Sequence, residues 1–164
     1  MAERSFNVLF LCTHNSARSV MAEALLNVMG SPRFRAFSAG SAPSGRVNPI
    51  AIEMIEAIGY RGEGVRSKSW DEFAVPDAPT MDIIITVCDN AAGEACPVWP
   101  GHPATAHWGF PDPSSVEGGV AEKRHAFEQV FHAIRRRIEL LANLPVEKLE
   151  RLALSQELTR IHTS

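Results

Sequence analysis

A thiol and a guanidinium bracket a short polar segment near the start of the chain, Cys12-Thr13-His14-Asn15-Ser16-Ala17-Arg18-Ser19. An apolar run precedes the segment and a helical pattern follows it, so it joins a strand to a helix. The backbone N–H groups of such a loop can curl round a tetrahedral oxyanion and finish on a helix N-terminus, which favours negative charge. Arg18 adds a planar fork of donors suited to the paired oxygens of phosphate or arsenate. The same field is expected to lower the pKa of Cys12 and leave it as thiolate, the reactive form. Asn15 and Ser16 tolerate unusual backbone angles and can hydrogen-bond inside the loop, and Ser19 can donate to the sulfur. A cysteine and an arginine at this spacing also arise by chance, as a core thiol and a surface guanidinium. The strand before, the helix after and the polar filling favour the chemical reading.

A thiolate that displaces oxygen needs a proton on the leaving group. Asp112, in His107-Trp108-Gly109-Phe110-Pro111-Asp112-Pro113, is the candidate acid. The competing reading is a plain turn, since Asp and Pro both form turns. Two further cysteines, Cys88 and Cys96, stand seven intervening residues apart in a polar loop. One thiol near the site and another that can swing away are what a disulfide relay requires. Two buried structural cysteines are the bland alternative. A zinc site from Cys88, Cys96, His102 and His107 is a third, and the wide Cys–Cys spacing counts against it.

These groups need a frame to bring them together. Asn7 to Leu11 reads as a buried strand, Arg33 to Ser38 as a second, Asp82 to Val87 as a β-branched central strand and Thr105 to Trp108 as a short last one. Helical spacing runs over Arg18 to Met29, stopping at Gly30, and over Val120 to Leu141. Asn48-Pro49 starts another helix, with an N-cap followed by proline at N1, which ends at Gly59. Residues 88 to 103 and 109 to 119 read as loops, and Val146 to Ile161 as one more amphipathic helix. The alternation predicts an α/β fold: an open parallel sheet with helices on both faces. Ligands of such folds sit beyond the carboxyl ends of the strands, where Cys12, Cys88 and the loop after Trp108 all emerge.

Composition sets the limits. The chain has 164 residues, the size of one domain, with 45% hydrophobic and 21% charged residues, as in an ordinary globular protein. A net charge of -3 gives no sign of general nucleic-acid binding, which wants a basic surface, and leaves room for a local positive site. Three cysteines do not make a secreted disulfide framework. The apolar run near the N-terminus is too short for a signal peptide or a membrane span. The expected place is the cytoplasm, with no membrane partner.

The loop sequence CTHNSARS resembles that of the low-molecular-weight tyrosine phosphatase superfamily, and the resemblance covers roughly residues 6 to 142. It implies a four-stranded parallel sheet, a nucleophile at Cys12, an oxyanion-clamping Arg18 within a binding loop of residues 13 to 19, and a general acid at Asp112. Phosphatases of this superfamily usually place aromatic residues after Asp-Pro, where this chain has Ser114 and Ser115. The segment HWGFPDP is instead similar to the HWG-x-x-DP of arsenate reductases on the same fold. The stretch from Cys88 to Cys96-Pro97 resembles the Cys…Cys-Pro segment of the thioredoxin-coupled members, with a gap one residue longer. That likeness implies a relay Cys12, Cys88, Cys96 that carries electrons to arsenate, recycled by thioredoxin or another dithiol, with no metal or organic cofactor. The alternative is a phosphatase using Cys12, Arg18 and Asp112 alone.

His14 and Ala17 stand where relatives often have Gly and Cys. Some relatives bind potassium beside the loop; Asn15, Glu23 and Ser38 fit that pattern, while its acidic position falls at Trp70. The expected organisation is a catalytic domain over 1–144 and a helical tail over 145–164 packed on it.

Overall fold

The computed structural model describes residues 5–61, 65–87, 104–145 and 161. In it the apolar run near the N-terminus is a strand buried on both sides. β1 (Phe6–Cys12) turns Val8 and Phe10 into one core and Leu9 and Leu11 into another. Burial of both faces explains why the strand reads as a continuous apolar run rather than an alternating one. Beside it lie β2 (Phe34–Gly40), β3 (Ile83–Thr86) and β4 (Ala104–His107). All pairings are parallel and the order is β2-β1-β3-β4.

The expected parallel sheet is therefore present, with shifted ends. β2 runs two residues past Ser38, because Ala39 and Gly40 stay in register with Leu11 and Cys12. β4 starts at Ala104 and stops at His107, leaving Trp108 to donate its N–H to Thr86 O beyond the strand.

α1 (Arg18–Met29), α2 (Pro49–Ala57) and α3 (Val120–Ala142) share the core that holds Val8, Phe10, Ile83 and Ile85. Asn48 caps α2 as its sequence indicates, accepting the Ile50 N–H at 2.9 Å with Pro49 next in line. Gly30 ends α1 for a different reason from the one expected. Its φ is -109°, so no left-handed turn is involved. A Cβ there would lie 2.8 Å from Leu26 Cδ1, so the glycine serves close packing. Phe127, Val130, Phe131, Ile134, Ile138 and Leu141 form the buried stripe of α3 that their spacing foretells.

The opposite sheet face carries Leu9, Leu11 and Ile84 and is covered by a short 3-10 turn, Trp70–Phe73, together with Met81. Four residues are too few to show a period, so the sequence carries no local signal for this turn. Ile161 is helical and buried in the first core. The rest of the expected tail helix, the Cys88–Cys96 loop and His102 lie outside the described residues. No described helix is long and apolar enough to cross a membrane.

Gly40 ends β2 directly beneath the loop that leaves β1. A Cβ on Gly40 would meet Thr13 O at 2.5 Å and Cys12 O at 2.6 Å, both backbone atoms that cannot swing aside. Gly40→Ala should therefore lower unfolding stability by about 1–3 kcal/mol, read as a shifted urea midpoint at unchanged slope. A wild-type midpoint would mean that the loop backbone yields without cost.

Candidate active site

The segment 12–19 occupies the carboxyl edge of the sheet, between β1 and α1. Its carbonyls are tied to the surrounding frame. Thr13 O accepts from Ala42 N–H at 2.9 Å, Ser16 O from Asn48 N–H at 2.8 Å, and His14 O from both Ser44 N–H at 3.1 Å and Ser67 Oγ at 2.9 Å. In a planar trans peptide the C=O and the following N–H point in opposite directions. The N–H groups of His14, Asn15 and Ala17 are thereby turned away from that frame.

α1 adds to this. Among the described residues no side chain caps its N-terminus, and its first turn has no acidic residue to compete with an incoming anion. Asn15 makes the sharpest bend, at φ 49°, a left-handed conformation that Asn tolerates. It is fully buried and bridges two elements: its Nδ2 donates to Ser19 Oγ at 2.8 Å, and its Oδ1 accepts from Lys68 N–H at 2.9 Å. Because Ser19 Oγ accepts here, its own proton is left to donate. Cys12 is buried at the start of the loop, while the His14 side chain is exposed.

Arg18, after β1, and Asp112, after β4, meet at the same carboxyl edge across the intervening β3. Arg18 Nη1 donates to Phe110 O at 2.9 Å, and its Nη2 lies 3.8 Å from Asp112 Oδ2. Asp112 also caps the 3-10 turn Pro113–Ser115, with Oδ1 accepting from Ser114 N–H at 2.9 Å and Ser114 Oγ at 2.7 Å. Oδ1 thus makes the turn, while Oδ2 is the oxygen that faces Arg18. The arrangement can bind a tetrahedral oxyanion between the loop amides and the Arg18 fork, with a carboxyl group beside it. Cys12, residues 13–19 and Asp112 come to one edge; Cys88 and Cys96 lie outside the described residues. Of the zinc candidates, His107 is described, and its Nδ1 sits 2.8 Å from Thr86 Oγ1. Among the described residues no group of three or more His, Cys, Asp and Glu side chains is placed to hold a metal.

A buried polar cluster supports the loop from behind. Glu23 Oε1 accepts from Ser38 Oγ at 2.7 Å, Glu23 Oε2 accepts from Tyr60 OH at 2.8 Å, and Lys68 Nζ lies 3.9 Å from Oε1. Asn27 Nδ2 donates to Tyr60 OH at 3.1 Å. Burial pushes the Lys68 ammonium below its ordinary pKa, against the opposing pull of Glu23. The residues of the potassium pattern divide here: Glu23 and Ser38 join, Asn15 is committed to Ser19 and Lys68, and Trp70 packs in the second core. Among the described residues the cation paired with Glu23 is Lys68. Sequence reading missed Lys68 and Tyr60, which lie in stretches without periodicity. It also missed Gly40, for which a glycine closing a strand beside a tight loop was the available signal.

Residues 7–154 match the family described as low molecular weight phosphotyrosine protein phosphatase. An arsenate reductase of Halalkalibacterium halodurans is 36% identical over 135 residues, which are 82% of this chain and 94% of that one. Among solved structures, an arsenate reductase from Archaeoglobus fulgidus is 31% identical with a TM-score of 0.65, covering 84% of this chain and 99% of the other. A thioredoxin-dependent arsenate reductase of Corynebacterium glutamicum is 25% identical with a TM-score of 0.57, over 86% of this chain and 65% of that one.

The Glu23 cluster has a clean reporter, because Tyr60 is the chain's single tyrosine. Burial, then the Glu23 charge and the hydrogen bond to it, push the phenol up to about 12 from the ordinary 10.0. A raised folded-state pKa contributes stability that is present below pH 10.0 and is lost as pH rises towards 12. Phenolate absorbance should appear with a midpoint near 12 in the folded protein and near 10.0 in urea. Glu23→Gln should move the folded midpoint down. A wild-type midpoint of 10.0 in the folded state would break the proposed Tyr60–Glu23 coupling.

Proposed function

The chain belongs to the low molecular weight phosphotyrosine protein phosphatase family, and on that premise we propose that it reduces arsenate to arsenite through Cys12, Cys88 and Cys96. One observation carries the oxyanion half of this reading. Cys12 opens a loop whose carbonyls are bound outward and which runs into an uncapped helix start and Arg18. The arsenate half is supported by the relatives named arsenate reductases and by the two further thiols in this chain. The serines after Asp112-Pro113, in place of aromatic residues, also fit a small inorganic substrate better than a phenyl ester.

The first step is attack of the Cys12 thiolate on arsenic. The loop amides and helix N-terminus favour that thiolate. An oxygen leaves as water once Asp112 supplies a proton, and a Cys12–S–As bond remains. The Cys88 thiolate then attacks the Cys12 sulfur. A disulfide forms, the S–As bond breaks, and its electron pair stays on arsenic, which leaves as arsenite. Two thiols have lost two electrons and arsenic has gained two. Cys96 next attacks Cys88 and releases the Cys12 thiolate, leaving a Cys88–Cys96 disulfide for an external dithiol such as thioredoxin. No metal or organic cofactor enters these steps. The free thiols this requires suit a reducing compartment such as the cytoplasm.

Removing the acid should affect chemistry more than binding. Asp112→Asn should lower kcat for p-nitrophenyl phosphate by about 100-fold or more, while inhibition by phosphate stays within about twofold. Unchanged kcat in a folded variant would leave Asp112 as a turn cap only.

The relay separates reduction from ester hydrolysis, which needs no second thiol because water can resolve a phosphocysteine. Cys88→Ser should abolish arsenite release and keep any phosphatase activity. Cys96→Ser should release about one arsenite per enzyme and stop with Cys12 and Cys88 joined. If both variants reduce arsenate at the wild-type rate with thioredoxin, the relay is refuted. Brisk phosphotyrosine turnover with no arsenate reduction in the wild type would install the phosphatase reading instead.

A further inference from the structure

Arg137 is a half-buried cation that the steps above do not use. It stands on α3 between Ile134 and Ile138, both fully buried, whereas its neighbours Arg135 and Arg136 are exposed. Its Nη1 is buried with no hydrogen-bond partner among the described residues. An unsatisfied buried donor is costly, and one on a charged group more so. What faces the guanidinium is the ring of Phe110, with its centroid 4.5 Å away. A cation over an aromatic face is a favourable contact, the more so where part of the cation is withdrawn from water, as Nη1 is.

Phe110 is the residue that holds Arg18. Its carbonyl accepts from Arg18 Nη1 at 2.9 Å, its N–H donates to Val87 O at 3.3 Å, and its side chain is buried. The backbone at 110 is thus fixed on one side by the end of β3 and on the other by Arg18, and the ring is fixed by Arg137. Two residues further on, Asp112 faces Arg18 Nη2. We propose that Arg137 is a positioning residue for the oxyanion site: it clamps the Phe110 ring so that the Phe110 carbonyl aims the Arg18 fork at the bound anion. The proposal rests on the reading above only in giving Arg18 the oxyanion. The rival view makes Arg137 a staple between α3 and the Asp112 loop, with no effect on the site.

The test measures how much inorganic phosphate halves the rate of iodoacetamide alkylation at Cys12, read on the Cys12 peptide by mass spectrometry, beside the melting temperature of each variant. Arg137→Met should raise the half-protecting concentration about three- to tenfold, and Arg137→Gln should do the same if the Met variant fails to fold. Arg137→Lys keeps a cation over the ring and should stay within about twofold of wild type. Phe110→Leu should lose protection to a similar degree, and the Arg137→Met/Phe110→Leu pair should be no worse than Phe110→Leu alone, because the two act through one contact. Wild-type protection in Arg137→Met, even with a lowered melting temperature, would overturn the proposal in favour of the staple. So would additive losses in the pair, or an Arg137→Lys variant as weak as Arg137→Met. This readout needs no arsenate turnover, so failure of the arsenate assay leaves it standing. Absence of any phosphate protection in the wild type would instead remove the oxyanion reading on which it rests.

Discussion

A loop that presents its amides to an anion must place its carbonyls elsewhere, and much of this structure serves that one requirement. Each loop carbonyl accounted for here ends on a donor outside the loop: Ala42, Ser44 and Asn48 from the segment between β2 and α2, and Ser67 from the stretch before the Trp70 turn. Those segments must therefore run alongside residues 13–16. Gly40 lets the first of them pass, since any side chain there would strike the loop backbone. Asn15 then takes the left-handed bend that reverses the chain, and its two amide atoms lock it to Ser19 on one side and Lys68 on the other.

Electrostatics follow the same logic. The chain as a whole is acidic, yet the start of α1, with Arg18 as its first residue, lies at the carboxyl edge of the sheet. Behind the loop, Glu23 is buried with Ser38, Tyr60 and Lys68 around its carboxylate. Burying a carboxylate costs several kcal/mol on the order usual for ions taken from water, so such a group persists only when its oxygens are satisfied. The cluster ties α1, β2 and the Lys68 segment to one another, which stiffens the platform on which the loop rests.

Thiolate attack on phosphorus and on arsenic begins in the same way, and a loop of this kind suits both. The two chemistries part at the second step. A phosphocysteine is resolved by water, whereas arsenic can leave with an electron pair only if another thiol takes its place on sulfur. The proposed division between the two functions of this fold therefore lies in the residues that follow β3, and the oxyanion loop is common to both.

The strands, the main helices and the loop that joins β1 to α1 are legible in the amino-acid sequence, because each is encoded locally. Continuous apolar runs mark strands buried on both faces, a 3.6-residue stripe marks α3, and Asn48-Pro49 marks the start of α2. The Cys12–Arg18 segment is likewise contiguous, so its residues are neighbours before the chain folds. The Asp112 loop was legible as a candidate, yet its approach to Arg18 spans most of the chain and depends on the parallel order β2-β1-β3-β4. Only the tertiary structure brought Lys68 and Tyr60 to Glu23, set Gly40 under the loop, and laid Arg137 on Phe110. Those contacts join residues far apart in sequence that share no period or spacing. They arise from packing, and packing is decided by all the elements at once.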